Sequence, residues 1–568
     1  MKKGFFVGIL IFIIIILIFV GVGGFFYVKM NEEPKIEENS ILRIELSGNI
    51  VDNNASYLDK NVSIRDLFYQ VRRAKIDKRI KAIYLKISSF STGFAKTEDI
   101  GRIINDFKES NKKVYAYVET GGLREFYLAS FADKVFLFKG GYYNLNGLAS
   151  EAMFLKDSLS KIGVEAQLFH RGDYKTYSNM FMENGMTEAH RDSLQTLLDD
   201  IYSSTLKGFA KNRKIDIKKI KDLINELPVS NEPYKKSGLV DFIGYEDEAI
   251  KEIKGKNEFI NYSVYSETTK PLPFKGKDKI AVIFASGEIH SGKSGGKSLF
   301  GNPIMGSTTV AAQLKKARLD KNVKAVVLRI DSPGGSAVAS DVIRREAVLI
   351  AKEKHLVISM SDVAASGGYW ISMASANVFA LEQTITASIG VVTGKFVLKG
   401  LYDKIGLKKT ILKTSDYADL YSDYKKFDER ELKKINTSLD SIYDDFVNLV
   451  SKSRGIKKEL LVQNEDRTIK PIAEGRVWSG VNAKKLKLID KIGGIYAAIK
   501  EAKKLSGFKD AEMGISIYPK KPTIMSLVMS YLGGGSGMIM SPMDITKKIS
   551  VYNKFFPAFV MPYKIEIK

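Results

Sequence analysis

The sequence predicts two tandem α/β domains, each built on a largely parallel sheet. Two observations carry this. First, short β-branched runs alternate with helical patterns. Residues 280–285, 325–330 and 357–360 read as strands, and residues 340–352 and 432–453 read as helices. That alternation is expected of parallel sheets joined by crossover helices. Second, the pattern occurs twice. IDKRIKAIYLKISSFSTG (76–93) aligns with LDKNVKAVVLRIDSPGGS (319–336), so that Lys81 faces Lys324 at an offset of 243 residues. The same offset sets Lys161 against Lys404 and Asp173 against Asp416. An unchanged offset over about a hundred residues marks tandem copies.

The elements follow in order along the chain. Residues 4–28 are apolar without a break, about 25 residues, enough to span a bilayer as one helix. Lys2 and Lys3 precede the run, and Glu32 and Glu33 follow it soon after. The positive-inside bias therefore predicts a cytoplasmic N-terminus and a transmembrane anchor over residues 1–30, with everything later outside the cytoplasm. A cleaved signal peptide would deliver the remainder to the same side. The first repeat is expected over 41–254 and the second over 279–509. Between them ETTKPLPFKGKDK, with two prolines and many charges, predicts a linker over 255–278. The tail, 510–568, matches neither repeat, and the GGGSG within it argues against a second spanning helix.

Composition narrows the function. Hydrophobic residues are 45% and charged residues 27%, the balance of folded domains rather than of a disordered chain. With 88 basic and 65 acidic residues the formal net charge is +23. The lysines are scattered and accompany no nucleic-acid motif, so a nearby anionic membrane accounts for the charge better than a nucleic-acid partner does. The absence of cysteine excludes disulfides, thiolate nucleophiles and cysteine–zinc sites.

Ligands of parallel sheets sit beyond the carboxyl ends of strands. Two glycine motifs fall there: DSPGGS (331–336) after the 325–330 strand, and ASGG (365–368) after the 356–360 strand. The copies differ at these places. Asp331-Ser332-Pro333-Gly334-Gly335 faces Ser88-Ser89-Phe90-Ser91-Thr92, and Ser366 faces Leu123. At a third place the loss runs the other way, because Lys175 faces Ala418. Complementary loss predicts one composite site shared by both repeats. Its chemistry is acyl transfer. A serine hydroxyl needs a base to become a nucleophile. The four histidines, His170, His190, His290 and His355, lie in no motif shared by the copies and read as surface or strand-edge residues. Lys175 can serve instead if desolvation keeps it neutral, and for that reason Asp173 is expected to point away from it. Backbone N–H groups of Gly334 or Gly335, together with that of Gly367, can form an oxyanion hole.

These motifs, with TASIGVVTG, GDYKTY, GRVWSG and the apolar N-terminus, resemble the long, tandem-repeat form of the signal peptide peptidase A family, also called protease IV. The resemblance covers nearly the whole chain. It implies the α/β spiral fold shared with Clp-type proteases and crotonases, in two tandem domains after a transmembrane helix. It implies a serine–lysine dyad with Ser366 as nucleophile and Lys175 as general base, and Ser388 of the SIG motif orienting the lysine. It implies no cofactor or metal, and signal peptide remnants as substrates in or at the bacterial inner membrane. A homotetrameric bowl with inward-facing sites is implied too. Two other readings compete. A crotonase-type acyl-CoA enzyme shares glycine-loop oxyanion donors but wants neither anchor nor serine at the turn. A catalytically inactive membrane scaffold has no need of nucleophile, base and donor loop together.

Overall fold

The computed structural model describes residues 36–54, 61–255, 257–268, 277–298, 301, 303–462, 471–508 and 514–518, and the backbone of 558–560. The expected anchor over 1–30 lies outside these residues. Among the described residues no helix is long and apolar enough to cross a membrane.

Each repeat forms its own sheet. In the first, the strands run in the order Phe259–Asn261, Ser40–Val51, Ile80–Ser91, Lys113–Val118, Lys134–Phe138 and Phe242–Gly244, all parallel. Ile80, Ala82, Ile83, Tyr84, Leu85 and Ile87 are all buried. Such a near-continuous apolar run is what a parallel sheet covered on both faces requires. In the second, the order is Val477–Ser479, Ile385–Ala387, His355–Ala365, Val323–Ser332, Lys279–Ser286 and Gly514–Tyr518, and only the Val477–Ser479 pairing is antiparallel. The strands and helices expected in this repeat lie within these strands and within Ala337–Glu353 and Glu429–Arg454. The duplication persists in the element bounds. Helices Ile64–Ile76 and Phe94–Lys108 recur at Ser307–Leu319 and Ala337–Glu353, starting 243 residues later.

The second sheet alternates between two cores. Ile280, Val282 and Phe284 pack in one cluster with Leu85 and Ile103 of the first repeat. Ala281, Ile283 and Ala285 pack on the opposite side with Val310, Ile343 and Ile350 of their own helices. Apolar contact therefore joins the repeats through a whole sheet face, and burial of that area sets their relative placement.

A third sheet is composite. Its order is Ile304–Gly306, Glu288–His290, Gly334–Ser336, Ala558–Val560, Val391–Val397 and Glu165–Arg171. The last strand belongs to the first repeat. It pairs antiparallel with Val391–Val397 of the second, from Arg171 opposite Val391 to Glu165 opposite Val397.

Two expected boundaries change. Residues 257–268, assigned to a linker, carry the strand Phe259–Asn261, paired with Ser40–Val51, and the helix Tyr262–Thr268 with a fully buried Tyr265. The tail begins inside the second sheet, where Gly514–Tyr518 pairs with Lys279–Ser286, and its residues 558–560 lie in the composite sheet. Strands this short give too little periodicity to register in a sequence pattern.

Candidate active site

The composite sheet brings the differing residues of the two repeats together. Strand His355–Ala365 ends at Ser366, which is the N-cap of helix Gly367–Ser372. Ser366 is fully buried and has φ 53°, ψ −110°. A non-glycine residue in such a region costs about 1–3 kcal/mol and persists only where its surroundings enforce it. Here the Ser366 N–H donates to the Ala387 carbonyl at 2.7 Å, and its own carbonyl accepts from the Trp370 N–H at 2.8 Å. The turn aims the hydroxyl away from its helix and toward the first repeat.

Lys175 meets it there. It follows strand Glu165–Arg171 by four residues and is fully buried. Its Nζ lies 2.8 Å from Ser366 Oγ, 3.0 Å from Ser388 Oγ and 3.1 Å from the Ser388 carbonyl oxygen. Burial alone pushes the amine well below its ordinary range. A neutral amine has two N–H groups, which match the two Ser388 oxygens, and one lone pair, which is left for the Ser366 proton. Ser388 follows Ala387, and both have positive φ, 54° and 66°. The Ser388 N–H donates to the Arg476 carbonyl at 2.9 Å, which holds this second strained turn. Asp173, expected to stay clear of the amine, exerts its charge on His170.

The glycine loop closes the third side. A Cβ on Gly367 would lie 3.3 Å from Gly334 Cα, so the two backbones touch. The Gly334 N–H already donates to Ser332 Oγ at 3.1 Å. Gly335, which stands between Ile289 and Phe559 in the composite sheet, is the loop's other candidate donor, beside Gly367, whose N–H at the first helical position has no acceptor within its helix. Gly335 has φ 152°, and a Cβ there would lie 2.1 Å from the Ile289 carbonyl oxygen.

His170 feels the charge of Lys175, but among the described residues no hydrogen bond joins it to the lysine or to Ser366. His170 turns Nδ1 to the Gly172 carbonyl at 3.0 Å. His190, expected at a surface or strand edge, is buried on helix Glu188–Arg213, and burial takes its pKa down to about 4, so it is neutral. The correction has a simple cause, since one helical face buries His190 with Leu194 and Leu197.

Gly475 and Arg476, both in GRVWSG, take on a role only in the folded chain. Gly475, at φ 80°, presses on the lysine backbone, where a Cβ would lie 2.5 Å from Lys175 Cα. Arg476 is buried over the rings of Tyr174 and Trp478, at 4.7 and 4.4 Å, and reaches Asp192 Oδ2 of the first repeat at 2.7 Å. Together they hold the segment that carries the lysine.

Comparison with known proteins supports the tandem division of the chain. The model of "Peptidase family S49" matches residues 106–259 and 349–509, so that Lys175 falls in the first stretch and Ser366 and Ser388 in the second. The chain is 34% identical over 480 residues to the serine protease SPPA, chloroplastic, of Arabidopsis thaliana, which covers 83% of this chain and 69% of that protein. It is 30% identical over 554 residues to Protease 4 of Salmonella typhi, with 92% and 87% covered. The putative signal peptide peptidase SppA of Enterococcus faecium is 34% identical over 234 residues, 41% of this chain and 65% of that one.

Proposed function

The chain belongs to peptidase family S49, and from that premise we propose a serine endopeptidase whose nucleophile is Ser366 and whose general base is Lys175. One observation carries the reading. A fully buried lysine, its amine pushed well below the ordinary range by burial, lies 2.8 Å from a serine hydroxyl on a strained strand-to-helix turn. Neutral Lys175 takes the Ser366 proton as Oγ attacks the scissile carbonyl. The tetrahedral oxyanion faces the N–H groups of Gly335 and Gly367. Protonated Lys175 then gives its proton to the leaving amine. Water, deprotonated by the same amine, hydrolyses the acyl-enzyme. Ser388 orients the amine throughout.

The composite sheet supports an extended peptide as substrate. Its slot between Gly334–Ser336 and Val391–Val397 holds the backbone of Ala558–Val560, with Phe559 opposite Gly335 and Ala558 opposite both Ser336 and Val392. A substrate strand in that place would pair with the strands on both sides by main-chain bonds, a sequence-tolerant mode of recognition. The apolar residues 4–28 and the relative named as a signal peptide peptidase support cleaved signal peptides as that substrate. On this reading the chain is a single-pass protein of the bacterial cell membrane with its repeats outside the cytoplasm. The Clp-like spiral fold and the homotetramer belong to the same proposal.

A fluorophosphonate serine probe tests the dyad. It is expected to label wild type at Ser366 alone, and Lys175→Ala is expected to abolish labelling while the chain stays folded. Labelling at another serine, or undiminished labelling of Lys175→Ala, would refute it.

A further inference from the structure

The two repeats share a second buried cluster, made of charges. Arg329, fully buried, pairs with Asp52 Oδ1 at 3.1 Å and Asp99 Oδ2 at 2.8 Å, both also fully buried and both from the first repeat. Lys96, again from the first repeat, extends Nζ to Asp331 Oδ2 at 2.6 Å and Asp362 Oδ2 at 3.0 Å. The cluster is divided as the dyad is. At the 243-residue offset Lys96 faces Ala339, Asp99 faces Val342, Arg329 faces Lys86 and Asp331 faces Ser88. Neither copy could build it alone.

The two cations hold different things. Arg329 binds residues of its own sheet, Ser359 Oγ, the Met360 carbonyl and Ser361 Oγ, to the two aspartates of the first repeat. That is a fastening between domains. Lys96 binds two carboxylates on the segments that carry the glycine loop and the nucleophile. Asp331 opens the DSPGG loop, and its Oδ1 accepts from the Val363 N–H at 3.1 Å. Asp362 precedes Val363 on the strand that ends at Ser366, and its carboxylate accepts the N–H groups of Gly93 and Lys96, at 2.9 and 2.8 Å. It thereby caps helix Phe94–Lys108 from the other repeat, favourably placed at that helix's positive end. A Cβ on Gly93 would lie 2.3 Å from this carboxylate, so the close approach requires glycine. Lys96 is thus the point at which the loop, the nucleophile strand and the first repeat meet.

We propose that Lys96 is a positioning residue: by tying Asp331 to Asp362 it fixes the 331–335 loop against the strand of Ser366, and so sets the distance between the oxyanion donors and the nucleophile. This rests on the dyad reading above. The first repeat then supplies both the base and the anchor of the oxyanion loop. A misplacement of such donors by about 1 Å costs about 10²-fold in rate, whereas ground-state binding of a peptide strand keeps the Val391–Val397 side of its slot and suffers less.

The test uses the full chain as wild type, Ser366→Ala, Lys96→Met, Lys96→Arg, Asp331→Asn and the Lys96→Met/Asp331→Asn double variant. Hydrolysis of an extended peptide gives kcat and KM. A peptide aldehyde, which forms an oxyanion-bearing adduct on Ser366, is compared with an uncleavable peptide that forms none. The expected result for Lys96→Met and for Asp331→Asn is a kcat lowered about 10²-fold with KM within about twofold. Aldehyde affinity should fall in step, uncleavable-peptide affinity should hold, and Lys96→Arg should recover part of the rate. The double variant should be no worse than either single one, because one anchor is lost in each case. Should Lys96→Met fail to fold, Asp331→Asn and the double variant, which removes opposite charges together, carry the same test. Folded variants with kcat within about threefold of wild type, or with both ligands weakened equally, would overturn the proposal. Failure of the dyad reading has a separate sign, activity surviving in Ser366→Ala or absent in wild type, and the proposal falls with it.

Discussion

Lys175 carries an electrostatic cost that the fold must offset. Burial holds its amine well below the ordinary 10.5, while in the unfolded chain the same amine is protonated. Between those two values the unfolded state binds more protons, so stability rises with pH across that window and is lower beneath it. Lys175→Met should therefore raise stability at neutral pH, flatten its rise toward alkaline pH, and abolish hydrolysis. Denaturant titrations of both proteins at several pH values check this, and parallel slopes would contradict it. Ser366→Ala should lower the hydrolysis rate by about 10³-fold or more. Ser366→Gly should be as inactive yet more stable than Ser366→Ala by about 1–3 kcal/mol, since glycine alone relaxes at φ 53°, ψ −110°.

At the scale of elements, the site depends on close backbone contacts. Gly475→Ala places a methyl 2.5 Å from Lys175 Cα and must shift the lysine. It should lower kcat about 10²-fold with little change in KM. Gly335→Val should also inactivate, through the Ile289 carbonyl 2.1 Å away and a φ that valine avoids. Its melting temperature should fall together with its activity, and an inactive variant of unchanged stability would show that the side chain blocks the substrate path instead. The same contrast marks what the sequence makes legible. Long periodic segments such as Ala337–Glu353 and Glu429–Arg454 show in the pattern, as does the duplication, because a constant offset survives divergence. Ser366 and Lys175 stand out because each has a dissimilar counterpart. What stays hidden is non-local. Strand Glu165–Arg171 pairs across repeats, while its counterpart at 408–414 forms no strand. The pressure of Gly475 on Lys175, the capping of Gly93 by Asp362 and the short strands at 259–261 and 558–560 likewise depend on contacts that no local pattern encodes.

In the whole molecule the site exists only where the two repeats and the tail converge. The tail backbone at 558–560 lies in the slot beside Gly335, where an extended substrate would compete with it. A chain ended at residue 556 should bind extended peptides more tightly, with a lower KM and an unchanged kcat, and an unchanged KM would show that the tail is no competitor. The proposed hydrolysis uses a serine from one repeat and a neutral lysine from the other. The most direct measurement is the pH–rate profile of wild type beside Lys175→Ala, Lys175→Arg and His170→Ala. Wild-type activity should rise with pH as Lys175 loses its proton, and His170→Ala should keep that profile. Both lysine variants should be inactive, because alanine has no base and arginine does not deprotonate in proteins. A wild-type profile in Lys175→Ala, with activity lost in His170→Ala, would contradict the account.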